Sequence, residues 1–257
     1  MTGVDRRILP SYAADSMAVP FVISRFHEHI QQDTQWDDHS HPTHELLWND
    51  SGVSRVTAAA RTWLITPVLG LWMPAGFLHA GSAPAGTRCN FSHFGVRSVP
   101  SISAVPVAVE LTPLLRLLLE RLAGATLPAG SRAIAEAAVL DVLTPAPHEV
   151  SLHIPQSRLL RPIVESVSRD PGQQRSAAEW ARELQVSPRT ITRAFQAETG
   201  AGFLQWVAKV RAQRAISLLA RGEDLEEVAA LLGYSSPSAF GAAFKRTTGF
   251  IPSSFRP

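Results

Sequence analysis

The sequence predicts an α+β chain in two parts: a β-rich N-terminal domain with a helical hairpin, then an all-α C-terminal domain of two helix-turn-helix units joined by a long helix. Three observations lead there. Between residues 19 and 100, short apolar-aromatic runs alternate with turn residues. From Glu110 the apolar period becomes helical. After Arg158 one arrangement of caps, turn and apolar stripe occurs twice, offset by 48 to 49 residues. With 45% hydrophobic and 18% charged residues, the 257-residue chain can bury two cores of ordinary size and is not disordered.

The N-terminal runs are VPFVIS, HELLW, RTWLI and LGLWMP. Asn49-Asp50-Ser51-Gly52, Pro67, Pro74-Ala75-Gly76 and Pro84-Ala85-Gly86 interrupt them, and such punctuation argues for a sandwich or small barrel over residues 1–108. Trp48, Trp63 and Trp72 are read as its core, with the lining of a pocket as the alternative. Residues 109–143 read as a hairpin. Leu111, Leu114, Leu115 and Leu118 recur at helical spacing, LPAGS breaks the pattern, and AIAEAAVLDVL resumes it. The hairpin would pack on the sheet or on the same hairpin of a second copy. Residues 144–157, with three prolines and no period, read as the linker.

Residues 158–257 are helical with legible punctuation. Ser176 and Glu179 form a capping box opening a helix with Trp180, Ala181 and Leu184 on one face. Ser187 caps the next helix, Pro188 takes its first position, Ile191 and Phe195 make its stripe and Gly200 ends it. A long helix follows from about Phe203 to Arg221. The pattern then restarts: Asp224 opens a helix, Gly233 turns it, Ser236-Pro237 starts the next, and Phe240 and Phe244 form its stripe.

A helix-turn-helix sets the N-terminal part of its second helix in the major groove. In the first unit that surface carries Arg189, Thr192, Arg193 and Gln196, and arginine can bond O6 and N7 of guanine together. The charge agrees. Residues 158–257 hold 14 Lys+Arg against 9 Asp+Glu, while residues 1–157 hold 10 against 13, so an anionic partner is expected at one end only. From about residue 165 to 257 the chain resembles the DNA-binding module of the AraC family of transcription regulators, most clearly in LEEVAALLGYSSPSAFGAAFKRTTGFIPSSFR. The resemblance implies two recognition helices entering successive major grooves, with Arg189, Thr192 and Arg193 at base-reading positions. Pro237, Ser238, Gly241 and Ala242 hold the matching places in the second unit. Ser187 at the start of the first recognition helix, and Ser236, Lys245 and Arg246 in the second unit, suit phosphates rather than bases. In the first turn, where the family often has glycine, this chain has Gln185.

The N-terminal half contains HSHPTHELLWNDSG, with His39, His41 and Glu45 spaced H-x-H-x3-E, and later PAGFLH ending at His79. This resembles the two motifs of the cupin superfamily, β-barrels that hold a divalent metal on such residues. Even spacing puts 39, 41 and 45 on one face of an extended strand. A three-nitrogen, one-oxygen set suits Zn, Fe, Mn or Ni rather than Ca. The alternative is that these histidines line an organic-ligand pocket or hydrogen-bond to the barrel backbone. His27, His29, His93, His148 and His153 show no distinguishing spacing.

Together these readings lead to an expected cytoplasmic, non-enzymatic transcription regulator. Its partners would be double-stranded DNA, a small-molecule or metal effector, a second copy through the hairpin, and RNA polymerase if it activates. A metal-dependent cupin enzyme fused to a DNA-binding module is the alternative class. Cys89 alone excludes an intramolecular disulfide, and no apolar run approaches the roughly 18 residues of a membrane span.

Overall fold

Turn residues decide where the strands stop. In the computed structural model, which describes residues 3–123 and 127–256, HELLW lies within β4 (His44–Ser51), RTWLI forms β6 (Arg61–Ile65) and LGLWM forms β7 (Leu69–Met73). VPFVIS differs: only Ile23 and Ser24 are extended, at the start of β2 (Ile23–His29). The remaining strands of this half are β1 (Asp5–Arg7), β3 (Thr34–His39), β5 (Ser54–Ala58), β8 (His79–Ala83), β9 (Arg88–Phe94) and β10 (Val107–Glu110). The chain divides into two compact units, residues 1–59 with 63–149, and residues 60–62 with 150–257.

The first unit is built on two sheets. One has the order β10-β7-β4-β9-β2, and the other contains β1-β3-β8-β5-β6. β4 is the centre of the first sheet and is buried from His44 to Asn49 because both of its faces are covered. Leu47, with Leu71, Met73, Val56 and Ile65, fills the space between the sheets. Leu46 and Trp48 instead join a cluster with Leu115, Leu119, Leu122 and Val139 of the hairpin helices α1 (Pro113–Leu122) and α2 (Ala129–Val142). The hairpin therefore lies on the sheet, and Leu114, Leu117 and Ile134 stay exposed. LPAGS is not the turn its composition suggests, since Pro128 is the N-cap of α2 and Ala129 to Ser131 are already helical. Trp48, Trp63 and Trp72 are all buried.

The second unit starts within the stretch read as linker, where Ser151–His153 forms a short strand, β11. Six helices follow: α3 (Arg161–Arg169), α4 (Ala177–Glu183), α5 (Pro188–Thr199), α6 (Phe203–Leu219), α7 (Leu225–Leu231) and α8 (Pro237–Thr248). The capping box is present as expected, with Ser176 N–H donating to Glu179 at 2.8 Å and Glu179 N–H to Ser176 Oγ at 3.3 Å. Phe195 packs on Phe203 and Trp206 at 5.5 and 5.2 Å between ring centroids.

The repeat extends to individual hydrogen bonds. Ser187 Oγ accepts from Thr190 N–H at 3.1 Å, and Ser236 Oγ accepts from Ala239 N–H at 3.2 Å. At the other end, Thr199 Oγ1 bonds Phe195 O and Ala201 N–H, as Thr248 Oγ1 bonds Phe244 O and Phe250 N–H. Gly200 and Gly249 then close both helices at φ 69° and 83°.

The two turns differ in the residue at their left-handed position. Gly233 has φ 75°, and its counterpart Gln185 takes φ 55°, so a side chain occupies a left-handed position. A Cβ on Gly233 would fall on the carbonyl oxygen of Gly172 and the side-chain amide nitrogen Nε2 of Gln174. Gln185 carries the backbone penalty and Gly233 is additionally held by close approach. Gln185→Gly should therefore raise stability by up to about 1 kcal/mol, while Gly233→Ala should lower it by about 2–4 kcal/mol. Denaturant midpoints of the full chain check both signs.

Candidate functional site

The candidate nucleic-acid interface is a stripe on α5. Ile191 and Phe195 are buried, and Arg189, Thr192, Arg193 and Gln196 are exposed. Their spacing of three and four residues places these four on a single helix face. Thr192 donates its hydroxyl to Pro188 O at 3.1 Å, which leaves its oxygen lone pairs outward. Arg189 and Arg193 are exposed and form no ion pair among the described residues. By contrast, Arg175 pairs with Glu183 and stacks on Trp180, and Arg211 donates to Pro171 O and Gln173 O. The two α5 arginines are thus not used to hold the fold.

On α8 the matching stripe is Ser238, Gly241, Ala242 and Lys245, with Phe240 and Phe244 buried behind it. Ser238, Ala242, Lys245 and Arg246 are exposed, and Gly241 is half-buried. Ser187 and Ser236 both serve as N-caps, so each has a structural task besides any contact with a ligand. One face of one fold therefore presents two guanidinium groups in the first copy and small side chains with a single terminal ammonium in the second.

In the first unit, the sheets enclose a cavity of about 290 Å³. His39, His41 and His79 meet in it, with one ring nitrogen of each within 4.8 Å of the others. They do not reach it as the even spacing supposed. His39 ends β3, His41 lies in the connection after it, and Glu45 sits on β4. A chain reversal and strand pairing bring them together, not a shared face of one strand. His39 is the registered partner of His79 across β3 and β8, and Glu45 is the partner of His93 across β4 and β9.

Hydrogen bonds orient two of the rings. His39 Nδ1 lies 2.7 Å from Asp37 O, and His79 Nδ1 lies 3.0 Å from Phe77 O. Each Nδ1 must be the donor to its carbonyl, so each Nε2 holds a free lone pair. Burial drives His41 down to about 3, with the neighbouring imidazoles adding to the shift, and drives His79 and His93 down to about 4. It pushes Glu45 up to about 8. At neutral pH His41, His79 and His93 are therefore neutral imidazoles beside a protonated Glu45. Glu45 Oε2 is 3.5 Å from His41 Nε2 and 3.8 Å from His79 Nε2, beyond hydrogen-bond range, and it has no partner among the described residues. Free nitrogen lone pairs and an orphaned buried carboxyl oxygen converging on one point fit a divalent transition metal.

The structure adds a residue that spacing did not single out. His93 Nε2 is 3.8 Å from Glu45 Oε1, and its ring lies 5.4 Å from that of His41. Its only sequence signal is its place in a strand that pairs with β4, and pairing is non-local information.

Comparison with known proteins bears on the helical unit most directly. Residues 180–257 match the family model described as a helix-turn-helix domain. The HTH-type transcriptional regulator NimR of Escherichia coli is 27% identical over 219 residues, 83% of this chain and 80% of NimR. The HTH-type transcriptional regulator RipA of Corynebacterium diphtheriae is 35% identical over 102 residues, 40% of this chain and 30% of RipA. A Streptomyces lividans protein named as an AraC-like transcription regulator is 34% identical over 116 residues, 43% of this chain and 38% of its own length. The chain thus spans most of NimR but well under half of the other two. With its duplicated helix-turn-helix and these relatives, the helical unit is a DNA-binding domain of the kind found in AraC-like transcription regulators.

Proposed function

We propose that this regulator acts in the cytoplasm by laying α5 and α8 into neighbouring major grooves on one side of a duplex, under the control of an effector in the histidine cavity. The observation that carries this reading is the unequal stripe. Arg189, Thr192, Arg193 and Gln196 read base edges through α5, whereas Ser238, Gly241 and Ala242 bring α8 close to the DNA without selecting a base. Lys245, Arg246 and the capped helix starts at Ser187 and Ser236 hold phosphates, which fix register but carry no sequence information. The 17 residues of α6 set the spacing between the two units as a rod of roughly 25 Å.

In the cavity, His39, His41, His79 and Glu45 hold one divalent transition metal, of the Zn, Fe, Mn or Ni class. When bound, the metal supplies a cationic anchor for a ligand atom. Two copies associate through the exposed Leu114, Leu117 and Ile134 of the hairpin, and occupancy of the cavity favours one presentation of the paired DNA-binding units. An effector does so only by binding that arrangement more tightly than the alternative.

Salt-dependent binding tests the division between the two helices. Lys245→Ala should weaken selected and random duplexes alike, and should reduce the slope of log K against log salt by about 1. A loss confined to the selected duplex, with an unchanged slope, would assign Lys245 to base reading and refute the proposed roles. Fluorescence anisotropy of the full chain across a salt series distinguishes these results.

A further inference from the structure

We propose that the cavity takes a small aromatic anion, whose acidic head binds the metal-holding cluster with a hydrogen bond from His93 and whose ring lies against Trp36 and Phe91. This rests on the metal reading given above and extends it to the chemistry of the effector.

Charge comes first. A divalent ion held by three neutral imidazoles and the Glu45 carboxylate leaves a net charge of +1 in a buried site. The rest of the lining does not cancel it. Arg7 pairs with Glu28 at 2.7 and 2.8 Å and with Asp5 at 2.8 Å, and Arg55, also in the lining, offsets the second of these carboxylates, so the four groups sum to zero. A buried charge without a counter-ion is costly, so a ligand bringing one negative charge is favoured over a neutral one of the same shape.

His93 fixes the direction of the head. Thr43 Oγ1 lies 3.1 Å from its Nδ1 and can donate to it, while Nε2 faces the Glu45 carboxylate at 3.8 Å. Opposite an ionised Glu45 the favoured tautomer carries hydrogen on Nε2. His93 thus offers an N–H beside the cluster and does not belong to the group of three converging nitrogens. An anion bound at the cluster has a donor waiting for its second oxygen.

The walls fix the body. Trp36 and Phe91 meet edge to face at 6.4 Å between centroids, and Phe26 packs against His93 at 5.6 Å. Leu47 and Val56 complete an apolar chamber next to the polar cluster. At about 290 Å³ the cavity sits at the lower limit of ligand pockets, which suits one or two rings.

The test uses the full chain loaded with Co²⁺, whose visible spectrum reports coordination, and three probes: benzoate, its neutral isostere benzamide, and the non-aromatic cyclohexanecarboxylate. Benzoate should perturb the spectrum and bind at least about tenfold tighter than benzamide. It should bind a few-fold, up to about tenfold, tighter than cyclohexanecarboxylate. Metal-free protein should not bind benzoate. Trp36→Leu should weaken benzoate more than it weakens Co²⁺. His93→Ala should weaken benzoate by about tenfold, and His93→Gln, which keeps a donor, should recover part of that loss. Stoichiometric Co²⁺ uptake with equal affinity for benzoate and benzamide, or with benzoate binding as well without metal, overturns the inference and leaves the metal reading standing. No uptake of Co²⁺ overturns both.

Discussion

Arg193→Ala is expected to lower the affinity of the full chain for its selected duplex by about 5- to 150-fold, the range set by 1–3 kcal/mol for a bidentate arginine–guanine contact. Affinity for random duplex should change little, and discrimination should relax at positions in one half of the site only. The reasoning is structural. Arg193 is exposed on the face of α5 opposite Ile191 and Phe195, and it forms no ion pair among the described residues, so its removal leaves the fold intact. The corresponding exchange on α8, Ala242→Ser, should change discrimination far less, because the wild-type helix has no reading group there. Quantitative binding to a panel of single-base variants measures both. Equal relaxation across both halves would show that α5 and α8 do not divide the work.

The second large effect concerns the cavity. His79→Ala should lower affinity for Zn²⁺ by more than about 100-fold, the upper end of what loss of a partner behind a ligand costs. The protonation states give a further signature. Burial holds Glu45 protonated up to about pH 8, whereas His41 and His79, driven down to about 3 and 4, are already neutral at pH 6. Among Glu45, His41 and His79, metal binding at pH 6–7 should therefore release a proton from Glu45 alone, and that release should vanish as the pH rises past 8. Calorimetry in buffers of different ionisation enthalpy counts that proton. Metal-free stability follows the same sign. An acid raised from 4.5 to about 8 contributes stability that is complete below pH 4.5 and is lost as the pH rises through 8. Glu45→Gln should flatten that decline while abolishing tight metal binding. An unchanged decline would mean that Glu45 is not the buried acid responsible.

Local chemistry made the helical unit legible. Ser187, Ser236, Gly200 and Gly249 act on the backbone within a few residues of themselves, so their caps could be read directly and recur at the repeat offset. Gln185 shows the limit of such reading. The turn keeps its left-handed residue without glycine, and no local signal announces that. The histidine cluster was found for a partly mistaken reason. The even spacing of His39, His41 and Glu45 suggested one strand, yet the chain reverses between them and cross-strand register supplies the convergence. His93 and the short strand β11 depend on partners far away in sequence, which one-dimensional periodicity does not encode.

Selection of bound duplexes from a random pool by the full chain tests the central claim most directly. The account predicts a site with one strongly constrained block containing guanine and, about one helical turn (~10 bp) away, a second block with weak base preference. Arg189→Ala and Arg193→Ala should erase the first block and spare the second. Two equally constrained blocks, or a pool that shows no enrichment, would contradict it.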